Sequence, residues 1–281
     1  MHEWDFDTGP RGLKLRICEW QGAESSRPVL VILHGFLEQG AAWHAVASRL
    51  SGRVLAPDAR GHGLSEHVGR GGFYHFYDYL SDLDALVQHI GGPIDLLGHS
   101  MGGTVATMYA GTRPEQVRRL VLVEGLGPPD TTSASVARTR QFTQGMREQP
   151  QHKPLADVAA GVARVQRWNA TLPTDVATRL VARTTEPHPD GGVRWTWDPL
   201  HRLRSPKPFD EAQFSQFIGE ISAPTLLVDG GATQFVFDGQ VQRAALVQHR
   251  TELVIDGAGH LVHHDAPIPL ATAIEEHLNH D

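Results

Sequence analysis

The sequence has very little cysteine and no long hydrophobic run, and both absences narrow the classes of protein it can belong to. Cys18 is the only cysteine among 281 residues, so no disulfide can form within the chain and no oxidising compartment is implied. No apolar run reaches the roughly 18 residues of a membrane-spanning helix, so we expect no membrane span. The acidic N-terminus also lacks the basic and apolar regions of a signal peptide. We therefore expect a cytoplasmic protein.

Positive charge is also scarce. Lysine and arginine number 25 against 32 aspartate and glutamate residues, which gives a formal net charge of −7. Because no dense block of basic residues offsets this balance, we expect no nucleic-acid partner. A hydrophobic content of 40% in a chain of this length is sufficient for one large core.

Short apolar runs alternate with helical patterns over most of the chain. PVLVILHG (28–35) is continuously apolar, as in a strand buried on both faces, and FYDYLSDLDALVQHI (76–90) has helical spacing. This alternation predicts the α/β class, with a parallel sheet flanked by helices. It stops after Glu124 and resumes at APTLLVDGG (223–231), and the residues between predict amphipathic helices without a buried strand.

The interruption predicts a helical insertion between the sixth and seventh core strands of one α/β domain. We expect the first part of the core at residues 1–126, a helical cap at 127–217 and the second part of the core at 218–281. Acyl and alcohol preference would then depend on how the cap packs, and the sequence does not determine that packing.

The stretch GHSMGG (98–103) lies between a predicted buried strand and a predicted helix. A sharp strand-to-helix turn exposes a serine hydroxyl and requires small residues around it, which the glycines provide. The same turn leaves the first amides of the helix unpaired, so we expect the Met101 N–H to stabilise an oxyanion. Ser100 is therefore the candidate nucleophile.

A serine nucleophile needs a base and a further oxyanion donor. Among 17 histidines, His260 in GAGH (257–260) follows the last predicted core strand on a glycine loop, from which it can reach over the strand ends. We expect it to be the base. We expect the Phe36 N–H, in the loop after the strand VIL, to be the second oxyanion donor, and His34 to have a structural hydrogen bond. We expect no metal, because the cluster H-x-x-H-H-D lacks a zinc-binding pattern.

Four motifs occur in a familiar order: HGF after a buried strand, DARGHGLS (58–65), GHSMGG and GAGH. Together they resemble those of the α/β-hydrolase fold superfamily, specifically its cap-bearing serine hydrolases. The resemblance covers the chain except the cap, and it implies an eight-stranded, mostly parallel sheet, a helical lid and no cofactor. It also implies that Asp58, Arg60 and His62 brace the rim of the active site.

The acid of the triad departs from the commonest pattern of that family. In many relatives it stands three residues after the glycine of the strand matching TLLVDG, and that position is Thr233 here. Some relatives, including haloalkane dehalogenases, carry the acid at the end of the preceding core strand, where this chain has Glu124. The resemblance therefore implies Glu124 as the acid and Asp229 as the alternative. A salt bridge that anchors the cap is the alternative role of Glu124.

Several aromatic residues could line a ligand pocket or pack elsewhere. We expect five near the start of the second predicted helix to pack in the core or rim: Phe73, Tyr74, Phe76, Tyr77 and Tyr79. For three tryptophans of the predicted cap, both cap–core packing and an apolar substrate pocket remain open: Trp168, Trp195 and Trp197.

The candidate residues predict a serine hydrolase that cleaves a small-molecule carboxylic ester of short or medium acyl chain through an acyl-enzyme. The same triad serves lactonases, thioesterases, amidases and C–C bond hydrolases, and the fold does not choose among them. A ligand receptor with little turnover is an alternative from another class, and a metal-dependent hydrolase using the cluster His260–His264 is a third. The oligomeric state stays open.

Overall fold

The computed structural model describes residues 1–9 and 12–280. In the two parts of the chain that flank the predicted insertion, eight strands form a central sheet and six helices flank it. They are β1 (His2–Asp7), β2 (Lys14–Gln21), β3 (Leu30–Leu33), α1 (His44–Ala47), β4 (Arg53–Pro57), α2 (Phe76–Ile90), β5 (Ile94–His99), α3 (Met101–Thr112), β6 (Val117–Val123), β9 (Thr225–Gly230), α8 (Gln240–Ala245), β10 (Arg250–Ile255), α9 (Val262–Asp265) and α10 (Pro267–Asn279).

The segment between β6 and β9 contains four helices and a two-stranded antiparallel sheet. They are α4 (Ser135–Glu148), α5 (Val158–Gln166), α6 (Thr174–Arg183), β7 (Thr185–Pro187), β8 (Val193–Trp195) and α7 (Glu211–Gly219). The two short strands are exposed or half-buried, which agrees with the prediction that this part of the sequence contains no buried strand. That the segment acts as a cap with boundaries at 127 and 217 stays a prediction.

The central sheet has the order β1-β2-β4-β3-β5-β6-β9-β10. The pairs β1–β2 and β2–β4 are antiparallel, and every other pair is parallel. Apolar side chains cover both of its faces, since β5 and most of β6 are fully buried. The predicted class, an eight-stranded and mostly parallel sheet flanked by helices, is confirmed.

The register of the parallel strands brings their carboxyl ends to one edge of the sheet. His99 pairs with Val123, and Val123 pairs with Val228, so β5, β6 and β9 end side by side. The residues that follow, including Ser100 and Glu124, therefore emerge together at this edge. Open α/β sheets place their ligand sites at the same edge.

Strand β1 is missing from the sequence prediction. Its residues read as polar because it is an edge strand, in which only Phe6 is buried. The segment AAWHAVASRL (41–50) has the apolar spacing of a longer helix, but it forms a 3₁₀ turn at Gly40–Trp43 followed by the single turn α1. Both differences fall on short elements, where periodicity carries little information.

The segment between β6 and β9 is attached to the core by two arginines, of which Arg183 is half-buried and Arg243 is buried. Arg183 of α6 forms ion pairs with Asp58 at 2.9 Å and with Glu3 at 3.0 Å. The guanidinium of Arg243, on α8, donates to the carbonyls of Leu126 and Pro128, just after β6. Charge-assisted bonds of this kind hold the segment over the carboxyl ends of the strands.

The helices of the described ranges include none with both the length and the apolar character needed to cross a membrane.

Candidate active site

Ser100 stands on a strained turn between β5 and α3. Its φ of 50° and ψ of −113° are rare for a residue with a side chain, and such strain is typical of functional positions. Glycine is required around it, because a Cβ on Gly102 would lie 2.2 Å from the carbonyl oxygen of Leu33. A Cβ on Gly103 would lie 2.4 Å from the Cα of Gly125. The turn therefore packs directly against β3 and the residues after β6.

Three of the side chains named from the sequence form one chain of hydrogen bonds. The Oγ of Ser100 lies 3.0 Å from Nε2 of His260, and Nδ1 of His260 lies 3.0 Å from Oε2 of Glu124. The carboxylate accepts from Nδ1, so Nε2 is left to accept from the serine hydroxyl. The Glu124 side chain is 2% exposed and that of His260 is 19% exposed. Only the histidine and the serine therefore face the solvent side.

Glu124 is held as a carboxylate by three donors. Besides His260, the N–H of Gly230 donates to its Oε1 at 2.7 Å and the hydroxyl of Thr233 donates to its Oε2 at 2.8 Å. Burial raises the pKa of Glu124, but these hydrogen bonds outweigh it and the pKa lies below the usual value. Thr233, the position at which many relatives carry the acid, thus supports the carboxylate from β6.

Asp229, the alternative acid, lies elsewhere. It belongs to β9 and pairs with Val254 of β10, and among the described residues no hydrogen bond joins it to His260. Burial, and then the charges of Glu124 and Glu252, raise the pKa of Asp229 to about 6. The structure therefore brings His260 to Glu124 and not to Asp229. The partners of Glu124 also include no residue of the segment between β6 and β9.

The two expected oxyanion donors lie beside the nucleophile. Phe36 and Met101 line the same cavity as Ser100, and within the described part of the chain neither backbone N–H donates to an acceptor. His34 shapes the loop before Phe36. Its Nδ1 donates to the carbonyl of Gly35 at 2.7 Å, and its Nε2 accepts from the N–H of Ala59 at 2.9 Å. This is the structural hydrogen bonding expected for His34.

The loop DARGHGLS lies beside this site and is tightly bound. Asp58 is fully buried and accepts from the backbone N–H groups of Gly40 and Leu64. Arg60 makes two hydrogen bonds to Asp82, of 2.6 and 2.7 Å. These contacts fix the conformation of the loop, and its bracing of the rim stays a prediction.

Above Ser100 lies a cavity of about 700 Å³. All five aromatics of residues 73–79 line this cavity: Phe73, Tyr74, Phe76, Tyr77 and Tyr79. Tyr74 and Tyr79 are also buried in the core, and Phe76 packs against it, so these three side chains take part in both core packing and the cavity wall. None of the three tryptophans lines it, and Trp168 is 88% exposed. Phe235 also belongs to the wall and stacks on His260 with ring centroids 3.9 Å apart, a contact without a sequence signal.

Four cations line the cavity, although the chain is acidic overall. They are Arg138, Arg202, Arg204 and Lys207. The ion pairs found over residues 1–9 and 12–280 include none of them. Burial and the neighbouring charge of Arg204 lower the pKa of Arg138. The sequence contains one signal for these cations, the run HRLRSPK (201–207), which is basic in an otherwise acidic chain.

One group of side chains beneath the site resembles a metal site in composition only. Potential ligand atoms of Glu38, His99 and His263 lie within 4.8 Å of one another. Both ring nitrogens of His99, however, face hydrogen-bond acceptors, the Glu38 carboxylate and the carbonyl of His260. A ring that donates at both nitrogens has no lone pair for a metal, so these residues do not fit a metal ion.

Comparisons with known proteins agree with this fold. The sequence model of a family described as alpha/beta hydrolase fold matches residues 28–267. A serine hydrolase-like protein of Danio rerio is 28% identical, over 94% of this chain and 85% of the relative. An sn-1-specific diacylglycerol lipase of Mus musculus is 29% identical, over 91% of this chain and 82% of the relative. Among solved structures, the thioesterase domain from the curacin biosynthetic pathway is similar with a TM-score of 0.86 and 32% identity, over 98% of both chains.

Proposed function

This chain belongs to the α/β-hydrolase fold family, and from that premise we propose that it cleaves carboxylic esters of short or medium acyl chain through an acyl-enzyme. It is a serine hydrolase, as are relatives along most of its length. The observation that carries the proposal is the continuous hydrogen bonding from Ser100 through His260 to Glu124, next to two unpaired backbone donors.

Each residue of this arrangement has a role in acyl transfer. Ser100 Oγ attacks the carbonyl carbon of the ester while Nε2 of His260 takes its proton. Glu124 orients the ring and stabilises the imidazolium that forms. The N–H groups of Phe36 and Met101 hold the developing oxyanion. His260 then protonates the leaving alcohol and later removes a proton from the water that releases the acid.

Hydrolysis of p-nitrophenyl esters from acetate to palmitate tests this proposal. We expect sustained turnover with an optimum at short or medium chains, because the cavity that Ser100 lines has a volume of only about 700 Å³. A single burst without turnover would instead support a ligand receptor. Higher kcat/KM on matched thioesters than on oxygen esters would move the assignment to a thioesterase. Thioesters are included because the similar curacin domain is named a thioesterase.

The lining cations support a preference for a substrate with an anionic group away from the ester bond. Arg138, Arg204 and Lys207 have no carboxylate partner in the described ranges, while the cavity wall carries only the carboxylates of Glu124 and Asp210. Asp210 is already occupied, because it accepts from the N–H of Gln213. A carboxylate or phosphate on the substrate would supply the missing partner.

The p-nitrophenyl monoester of adipic acid is therefore expected to have a higher kcat/KM than p-nitrophenyl heptanoate, by about tenfold at low salt. Arg204→Gln should lower this ratio mainly through KM, and added salt should lower it in the native enzyme. Arg164→Gln is the matched control, since Arg164 is an exposed cation of α5 outside the cavity wall. A ratio near one in the native enzyme would contradict the preference, and an unchanged ratio in Arg204→Gln would show that Arg204 does not provide it.

A further inference from the structure

His99 is a buried histidine that the triad does not use. It ends β5, directly before Ser100, and is 1% exposed. Its Nδ1 lies 2.8 Å from Oε2 of Glu38, and its Nε2 lies 2.9 Å from the backbone oxygen of His260. A carbonyl oxygen and a carboxylate both accept, so each ring nitrogen donates a proton. His99 is therefore an imidazolium with Glu38 as its counter-ion.

The charges of this pair support each other inside the protein. Burial lowers the pKa of His99, but the negative charge of Glu38 and its hydrogen bond outweigh burial and raise it above the ordinary value. Burial raises the pKa of Glu38, but the positive charge of His99, and then the interaction with His263, hold it well below its ordinary value. The directions of both pKa shifts therefore agree with the charged pair that the hydrogen bonds indicate.

Glu38 also closes the loop that carries Phe36. Its Oε2 accepts from the N–H of Gly35 at 2.7 Å, and its own N–H donates to the carbonyl of Gly35 at 3.2 Å. Between these two residues the chain passes through Leu37, whose φ of 59° is unfavourable for a side chain. The carboxylate thus stabilises the strained loop that presents the Phe36 N–H to the cavity.

His99 in turn fixes the loop that carries His260. The carbonyl that it binds belongs to His260 itself, so the bond positions the backbone from which the imidazole extends. One residue earlier, the N–H of Gly259 is held by Asp265 at 2.8 Å. The residue that directly follows His99 in the sequence is the nucleophile Ser100. Nucleophile, base and oxyanion loop therefore all connect to one ion pair.

We propose that Glu38 and His99 are positioning residues, a buried ion pair that holds Ser100, His260 and the Phe36 loop in the geometry of attack. The inference rests on the proposed function, because it assigns a role within the same site. A neutral histidine could donate to only one of the two acceptors, so the charge is what allows both connections at once. Loss of either partner would leave the other charge buried without compensation.

Glu38→Gln tests this role against a matched variant, Asp95→Asn. Asp95 is the second residue of β5, the strand that His99 ends, and its buried carboxylate pairs with Arg118 at 2.7 Å. Each variant removes one charge from an ion pair attached to the same strand, and we expect both to lower Tm. Only Glu38→Gln should lower kcat, by about 10- to 100-fold with KM within about threefold, since misplaced reacting groups affect the chemical step. Equal kcat values in the two variants would overturn the inference.

Two further readouts do not depend on an ester substrate. Nitrogen NMR of the native protein at pH 8 should show His99 protonated at both ring nitrogens, and an unprotonated nitrogen would overturn the inference. The rate at which a fluorophosphonate labels Ser100 should fall in Glu38→Gln and stay near the native rate in Asp95→Asn. If Glu38→Gln were labelled at the same rate as the native protein, the positioning role would be wrong and the proposed function would remain. Absence of labelling in the native protein would instead remove the proposed function.

Discussion

Ser100→Ala is expected to lower kcat for ester hydrolysis by roughly 10⁶-fold, which is the scale of losing a serine nucleophile. The Oγ of Ser100 is the atom that faces Nε2 of His260 at 3.0 Å, and alanine has nothing to replace it. Alanine adopts the φ of 50° no less readily than serine does, so the turn should keep its shape. The loss would therefore come from chemistry and not from folding.

Steady-state turnover, measured with Tm on the same preparations, checks this expectation. Ser81→Ala is the matched control, because Ser81 is exposed on α2 and lies outside the cavity wall. It should keep native turnover. Activity that persists in Ser100→Ala at the native rate would place the nucleophile elsewhere and would end the assignment of GHSMGG as the reactive turn.

The strand–helix alternation of the sequence predicts most of the sheet because the central strands are buried on both faces. PVLVILHG and IDLL contain almost no polar side chain, so their composition reports their environment directly. Strand β1 escapes the same reasoning, because five of its six residues are exposed or half-buried at the sheet edge. Where burial is partial, the pattern is weak and the element is missed.

Local geometry explains why Ser100 can be identified from the sequence, because its turn requires glycine at neighbouring positions and this produces a recognisable motif. The cavity wall leaves no comparable trace. Tyr77, Lys207 and Phe235 meet there from distant segments, and each alone has the composition of an ordinary surface or core residue. The buried pair of Glu38 and His99 is hidden for the same reason, because 61 residues separate two groups that lie 2.8 Å apart.

Glu124→Gln is expected to lower kcat by about 10⁴-fold, the effect typical of replacing a triad carboxylate by its amide. An amide N–H in place of Oε2 would face Nδ1 of His260 and favour the wrong tautomer, which leaves Nε2 unable to accept the serine proton. Asp229→Asn is the matched control, because it neutralises a neighbouring carboxylate that makes no described bond to His260, and its effect on kcat should stay within about tenfold. If the two effects were reversed, Asp229 would be the acid.

The same geometry predicts where the carboxylate could be moved. The Thr233 hydroxyl lies 2.8 Å from the oxygen of Glu124 that binds His260, so an aspartate at 233 could reach Nδ1 once Glu124 is absent. Glycine is the suitable replacement at 124, because it accepts the local φ of 50° and vacates the space. We expect Glu124→Gly with Thr233→Asp to exceed Glu124→Gly alone in kcat by at least about tenfold, with unchanged fold by circular dichroism. Equal kcat values would mean that Thr233 only supports the carboxylate and that the catalytic position at the end of β6 cannot be exchanged for one after β9.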